Sequence, residues 1–141
     1  MTVSEAIISW LKEFNPDEYR NMQRINTDLM HNDVDYALVK EPVQNVRSYV
    51  SGMKVITEHY QFRARLDSIN DNDSVENSAF MEVLTGWIEK RNWNKDFPLL
   101  QCGTVQEIGV STPFYLGASN DKKAIYQLTI FIRYIKKENE S

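Results

Sequence analysis

Residues 122–137 read KKAIYQLTIFIRYIKK, and apolar groups recur there at every second position. Ala124, Tyr126, Leu128, Ile130, Ile132 and Tyr134 fall on one side of an extended chain, and Ile125, Gln127, Thr129, Phe131, Arg133 and Ile135 on the other. A helix would scatter both sets around its circumference, so this alternation predicts a long strand with one buried face. Burying the large side chains from Tyr126 to Tyr134 stabilises the fold by roughly 1.5–3 kcal/mol each. The second face is mixed, neither a clean core nor a clean solvent surface.

A strand of this length needs partners, and the sequence offers them. VQNVRSYV, then Ser51-Gly52, then MKVITEHYQFRARL reads as a hairpin with a two-residue, glycine-containing loop. In its second arm Ile56, Tyr60, Phe62, Ala64 and Leu66 share a face that Glu58 interrupts. The opposite face carries Val55, Thr57, His59, Gln61, Arg63 and Arg65. Both long strands are apolar at even positions, which predicts one antiparallel sheet. VDYALVK reads as a short separate strand stopped by Glu41-Pro42. Residues 99–110 form a further strand candidate, interrupted by Gly103 and Gly109, and residues 112–121 read as a long loop carrying Phe114, Tyr115 and Leu116. Residues 17–33 are polar and fit a short helix or an irregular loop.

Two stretches switch to helical spacing. Val3, Ala6, Ile7, Trp10, Leu11 and Phe14 mark a helix over about residues 2–14, with Thr2 and Glu5 as a capping box, Ser4 as the rival cap, and Asn15-Pro16 as the stop. Val75, Ala79, Phe80, Val83, Leu84, Trp87 and Ile88 mark a second over about residues 74–92, capped by Asp73 and Glu76, with Ala79 and Gly86 small enough for close approach to the sheet. The tail, residues 137–141, reads as mobile. The predicted fold is α+β in one domain, residues 1–141. It comprises an antiparallel or mixed sheet of about four to five strands with two α-helices packed on one face.

Chemistry is sparse. The net charge of −4 argues against nucleic-acid binding as the main activity. No apolar run approaches the roughly 20 residues that span a bilayer, and the N-terminus lacks the basic region of a secretory signal. The single cysteine, Cys102, allows no intrachain disulfide and reads as buried and inert. No nucleotide-binding glycine motif, zincin motif or paired-cysteine motif occurs. His31, Asp33 and Asp35 alternate and have metal-ligand chemistry, but HNDVD also describes a turn entering a strand. The acidic run from Asp67 to Glu76 fails as a calcium loop, because Val75 and Glu76 occupy positions that need an oxygen ligand and a glycine. Arg63 and Arg65, with His59, make the notable basic strand face, and a cross-strand ion pair or subunit contact explains them better than phosphate does. No enzyme and no cofactor is expected. An enzymatic role would have to rest on carboxylates around Asp28, Asp33 and Asp35.

Several segments carry a resemblance. They are Tyr49-Val50-Ser51-Gly52-Met53-Lys54 leading into Tyr60-Gln61-Phe62, the helix end Gly86-Trp87-Ile88-Glu89-Lys90-Arg91-Asn92, then Leu99-Leu100, Ile108, Tyr115-Leu116 and Ala124-Ile125-Tyr126-Gln127-Leu128. Over residues 36–135 the chain resembles the minor capsid, or tail-terminator-like, proteins of tailed, siphovirus-type phages and prophages of Gram-positive bacteria. The resemblance implies a virion structural protein of the tail or neck, assembled in the bacterial host cytoplasm. It implies a homo-oligomeric ring, commonly a hexamer, that caps the tail tube protein and presents a surface to the head connector protein, with no membrane and no specific nucleic-acid binding. Phe114, Tyr115, Leu116, Ile125, Phe131, Ile135, Arg63 and Arg65 are the candidate interface residues; internal packing accounts equally well for the apolar ones, and a cross-strand ion pair for the two arginines. The alternative expectation is a small α+β binding module.

Overall fold

The computed structural model describes residues 2–14, 25–27, 35–67, 71–119 and 122–136. The expectations for most of residues 17–33 and for the C-terminal tail lie outside the described residues. So do His31, Asp33 and the side chain of Asp35.

The fold is α+β. The elements run α1 (Val3–Leu11), β1 (Ile25–Thr27), β2 (Asp35–Ser48), β3 (Lys54–Asp67), α2 (Asp71–Trp93), β4 (Gly103–Ser119) and β5 (Lys123–Lys136). The strands form one sheet in the order β1-β2-β3-β5-β4. The β1–β2 pair is parallel and the other three pairs are antiparallel. The central pair is β3–β5, in a register that sets Tyr60 opposite Ile130, Phe62 opposite Leu128 and Ala64 opposite Tyr126. Even positions therefore meet even positions, and the two apolar faces merge into one. Both helices cover that face: Ile7, Trp10, Leu11 and Phe14 of the N-terminal segment and Phe80, Met81, Leu84 and Ile88 of α2 join the same core cluster as Leu128, Ile130 and Ile132.

The capping box forms as expected, with the Glu5 N–H donating to Thr2 Oγ1 at 3.1 Å and the Thr2 N–H donating to Glu5 Oε1 at 2.9 Å. These bonds from Thr2 hold the Glu5 carboxyl below the usual range. The helix stops at Leu11, short of Asn15-Pro16, yet Phe14 stays buried, its N–H donating to the Leu11 carbonyl at 2.9 Å. Helix α2 begins at Asp71, so Asp73 lies within it and does not cap it. Its buried line is Asn77, Phe80, Met81, Leu84 and Ile88, whereas Val75 and Val83 are exposed. The core face is rotated toward Met81, which is fully buried in the core cluster. Gly86 is exposed, and a Cβ there would meet nothing within 4 Å. It therefore gives no close approach to the sheet.

Three strand expectations need correction. The segment before Glu41-Pro42 and the one after it form a single strand, β2. Its pairing with β3 lapses between Lys40 and Gln44 and then resumes. Pro42 lies beyond the described pairing of β1, which reaches only Tyr36, Ala37 and Leu38, so among the described residues no strand needs its missing N–H on that side. The hairpin loop is also longer than two residues: Tyr49 N–H donates to the Met53 carbonyl and Gly52 N–H to the Tyr49 carbonyl, both at 2.9 Å. Gly52 sits at φ 91°, in the left-handed region that favours glycine. Lastly, residues 112–119 are strand. Register shifts after Val105, Val110, Thr112 and Leu116 absorb extra residues into β4, and each shift breaks the alternation that would have marked it.

Glu58 keeps its place on the buried face. Tyr60 Oη donates to its Oε1 at 2.9 Å, Gln44 Nε2 donates to its Oε2 at 2.5 Å, and Lys40 Nζ lies 3.3 Å from Oε2. A buried carboxylate is tolerated because its oxygens have donors. Burial, with Glu58 as the next influence, pushes the Tyr60 and Tyr134 phenols well above the usual range. Cys102 is exposed, contrary to expectation, because it lies in the connector just before β4 and not in a strand.

A second polar knot closes the helix layer. The Arg91 guanidinium lies 4.8 Å from the Trp87 ring centre and 5.4 Å from that of Trp10. It pairs with Glu13 at 2.9 Å and with Asp96 at 2.8 Å. Trp10 Nε1 donates to the Asp96 carbonyl at 2.9 Å. On the other side of the helix end, Asn92 Oδ1 accepts from the Ile108 N–H at 3.0 Å, fixing α2 to β4.

Candidate functional site: the uncovered sheet face

Because both helices cover the even face, the odd face of β3 and β5 has no described element over it. Its residues stand in rows set by the register. Val55 faces Ile135, Thr57 faces Arg133, His59 faces Phe131, Arg63 faces Gln127 and Arg65 faces Ile125. On β4, Gly109 lies opposite Phe131 and Tyr115 opposite Gln127. Each of these β3 and β5 side chains is half-buried, and Thr129, opposite Gln61 in the middle of the face, is buried.

Local contacts order this surface. Phe131 lies across Gly109, where a Cβ would stand 2.9 Å from the ring. The Arg133 guanidinium sits 5.9 Å from the Phe131 ring centre and pairs with Glu107. Gln127 Nε2 donates to Tyr115 Oη. Arg63 Nη2 donates to Gln61 Oε1 at 2.7 Å, while the buried Arg63 Nε has no hydrogen-bond partner. Gln61 Nε2 in turn reaches Glu41 Oε2 at 3.5 Å. At the hairpin end, Asn45, Arg47, Thr57, Gln106 and Arg133, with Tyr49 and Met53, line a recess of about 400 Å³.

The structure brings most of the expected interface residues together and separates two. Ile125, Phe131, Ile135, Arg63, Arg65 and Tyr115 share the uncovered face. Phe114 is partly buried and packs against the core. Leu116 pairs with Tyr126, a core-face residue, yet is exposed near the far end of β4. Sequence reasoning placed Arg47 in the first arm of the hairpin but gave neither it nor Arg133 a site role. The odd parity that marked Arg63 also marks Arg133, so the signal was present there.

The face has a charge of its own. Arg47, Arg63, Arg65 and Arg133 stand on it against Glu41 and Glu107, with Asp35 in register opposite Arg65, although the whole chain carries −4. Among the described residues no group of three or more His, Cys, Asp or Glu side chains is placed to hold a metal ion. No described helix is long and apolar enough to cross a membrane. Neither a scan against protein-family models nor a search of curated proteins finds a match.

Proposed function

We propose that the protein is a virion structural subunit, a ring-forming tail terminator or head–tail joining protein of a tailed phage or prophage. The ring caps the tail tube and offers its other side to the head connector. The resemblance in the segments around Tyr60, Gly86 and Tyr126 gives the particular role. The observation that supports assembly is the uncovered sheet face, where Val55, Ile125, Phe131 and Ile135 remain half-buried beside four arginines. Apolar surface of this kind gains stability when another body removes it from water. Cyclic closure uses two different patches on each subunit, so one such face is half of what a ring needs. In this reading the protein carries out no catalysis and needs no cofactor.

Light scattering after size-exclusion chromatography, across a range of concentrations, tests the proposal together with electron microscopy of the purified protein. Ring particles, or a mass that rises toward a closed oligomer, are the expected result. A strict monomer at all concentrations, with tail tube protein present, refutes it. A second reading, a small binding module, draws on the recess between Arg47 and Arg133. It predicts a monomer whose melting temperature rises with a small polar ligand.

A further inference from the structure

The two layers of the described chain carry opposite charge. The outward line of α2 runs through Val75, Glu82, Gly86, Glu89 and Trp93, positions that stack along one side of a helix and are all exposed. Trp93 is 85 % exposed and Val75 69 %. Between them Gly86 leaves helix backbone bare. Glycine weakens a helix interior, and no contact within its own subunit requires it there. Apolar ends, two glutamates and a bare backbone make a docking ridge. The uncovered sheet face supplies its complement: Arg47 and Arg65 near its ends, with Ile125, Phe131 and Ile135 among them.

We infer that the uncovered sheet face of one copy seats on the outward ridge of α2 of the next copy, arginines against glutamates and apolar side chains against Val75 and Trp93. The inference rests on the homo-oligomer reading above and specifies its interface. The contact joins two different patches, so it repeats head to tail and closes into a ring if the rotation permits. Nucleic acid is the rival occupant of an arginine-bearing face. Glu41 and Glu107 among the arginines, and the apolar groups beside them, disfavour a phosphate backbone. Arginine and aromatic side chains with few exposed lysines instead match a protein interface.

Complementary charge reversal tests the pairing. One variant reverses the sheet face, with Arg47→Glu and Arg65→Glu. The other reverses the ridge, with Glu82→Arg and Glu89→Arg. Circular dichroism and thermal melts establish that each is folded. Like charges meet in either variant alone, and assembly weakens by about tenfold or more. In an equimolar mixture every sheet face finds a ridge of opposite charge, so oligomers return with the two chains alternating. Gly86→Gln, which leaves the core untouched, weakens assembly independently by lifting the partner off the backbone.

Wild-type oligomers with both variants still assembling overturn the interface and leave the ring proposal standing. So does a mixture that fails to recover, or a Gly86→Gln protein that assembles normally. A wild-type protein that stays monomeric at all concentrations with tail tube protein present overturns the ring proposal, and the interface with it. Salt-dependent binding of duplex DNA by wild type that the sheet variant alone loses assigns the face to nucleic acid and overturns the inference.

Discussion

Replacing Arg91 with alanine removes the knot between the two helix ends. Its guanidinium touches two indoles at 4.8 and 5.4 Å and two carboxylates at 2.9 and 2.8 Å, with its own side chain 16 % exposed. Glu13 and Asp96 are more than half exposed, so each pair adds about 0–1 kcal/mol after solvent screening. A cation held over aromatic faces adds about 0.5–2 kcal/mol, and the upper part of that range applies to a site this dry. The loss in Arg91→Ala is therefore about 2–3 kcal/mol. For a chain of this size that is a drop of about 5–10 °C in melting temperature. Urea denaturation followed by circular dichroism measures it directly, with an unchanged m value showing that two-state comparison holds. Arg91→Lys keeps the charge and loses the planar stack, so it falls between wild type and alanine. Added salt weakens the carboxylate pairs and leaves the stacking, so most of the difference between wild type and Arg91→Ala survives at about 1 M sodium chloride. A loss under about 0.5 kcal/mol in Arg91→Ala refutes the argument, because the indole contacts would then be geometry without energy.

Gly86→Ala stabilises the isolated subunit by about 0.5–1 kcal/mol in chemical denaturation, since alanine favours the helix and meets no neighbour. Glu58→Ala destabilises by about 1–3 kcal/mol, because Tyr60 Oη loses its acceptor in a buried place while the exposed Gln44 can turn to water, whereas Glu58→Gln keeps an acceptor and loses less. The raised Tyr60 and Tyr134 phenols predict an alkaline limit. The unfolded chain releases these protons first, so their contribution is complete below about pH 10 and fades as pH climbs toward the folded values, by up to about 1.4 kcal/mol per pH unit per phenol. Stability measured from pH 9 to 11 shows that decline, and it is shallower in Tyr60→Phe or Tyr134→Phe.

The central strands were legible because parity is a strong code. From Ala124 to Tyr134 every even residue is large or apolar and every one is buried. Glu58 interrupts that code in β3, yet partners from a different strand, Lys40 and Gln44, keep it in the core. Helix α2 was legible in extent but not in phase. Apolar Val75 and Val83 draw the eye to the wrong side, while Met81 and the polar Asn77 face inward. Strand β4 was read as half loop because its register shifts erase alternation, and the turn-like Thr112-Pro113 reinforces that reading. The uncovered face was half visible. Its residues could be named from period two, but which layer the helices cover depends on contacts far apart in sequence. Arg47 joins it through the hairpin register, which sets it opposite Val55.

The outer strands of the sheet carry a further consequence. Beyond the short reach of β1, strand β2 presents Pro42, which has no N–H, beside residues that have slipped out of step with β3. On the opposite margin β4 has Pro113 and four register slips along its length. Irregular margins of this kind offer a poor template to an incoming strand. Any chain that meets copies of itself at high local concentration, as proposed above for this one, faces the hazard of zipping into endless fibrils. Along the described strands both margins disfavour backbone pairing with another copy, which leaves the self-association proposed above to broad surfaces whose geometry sets its own limit.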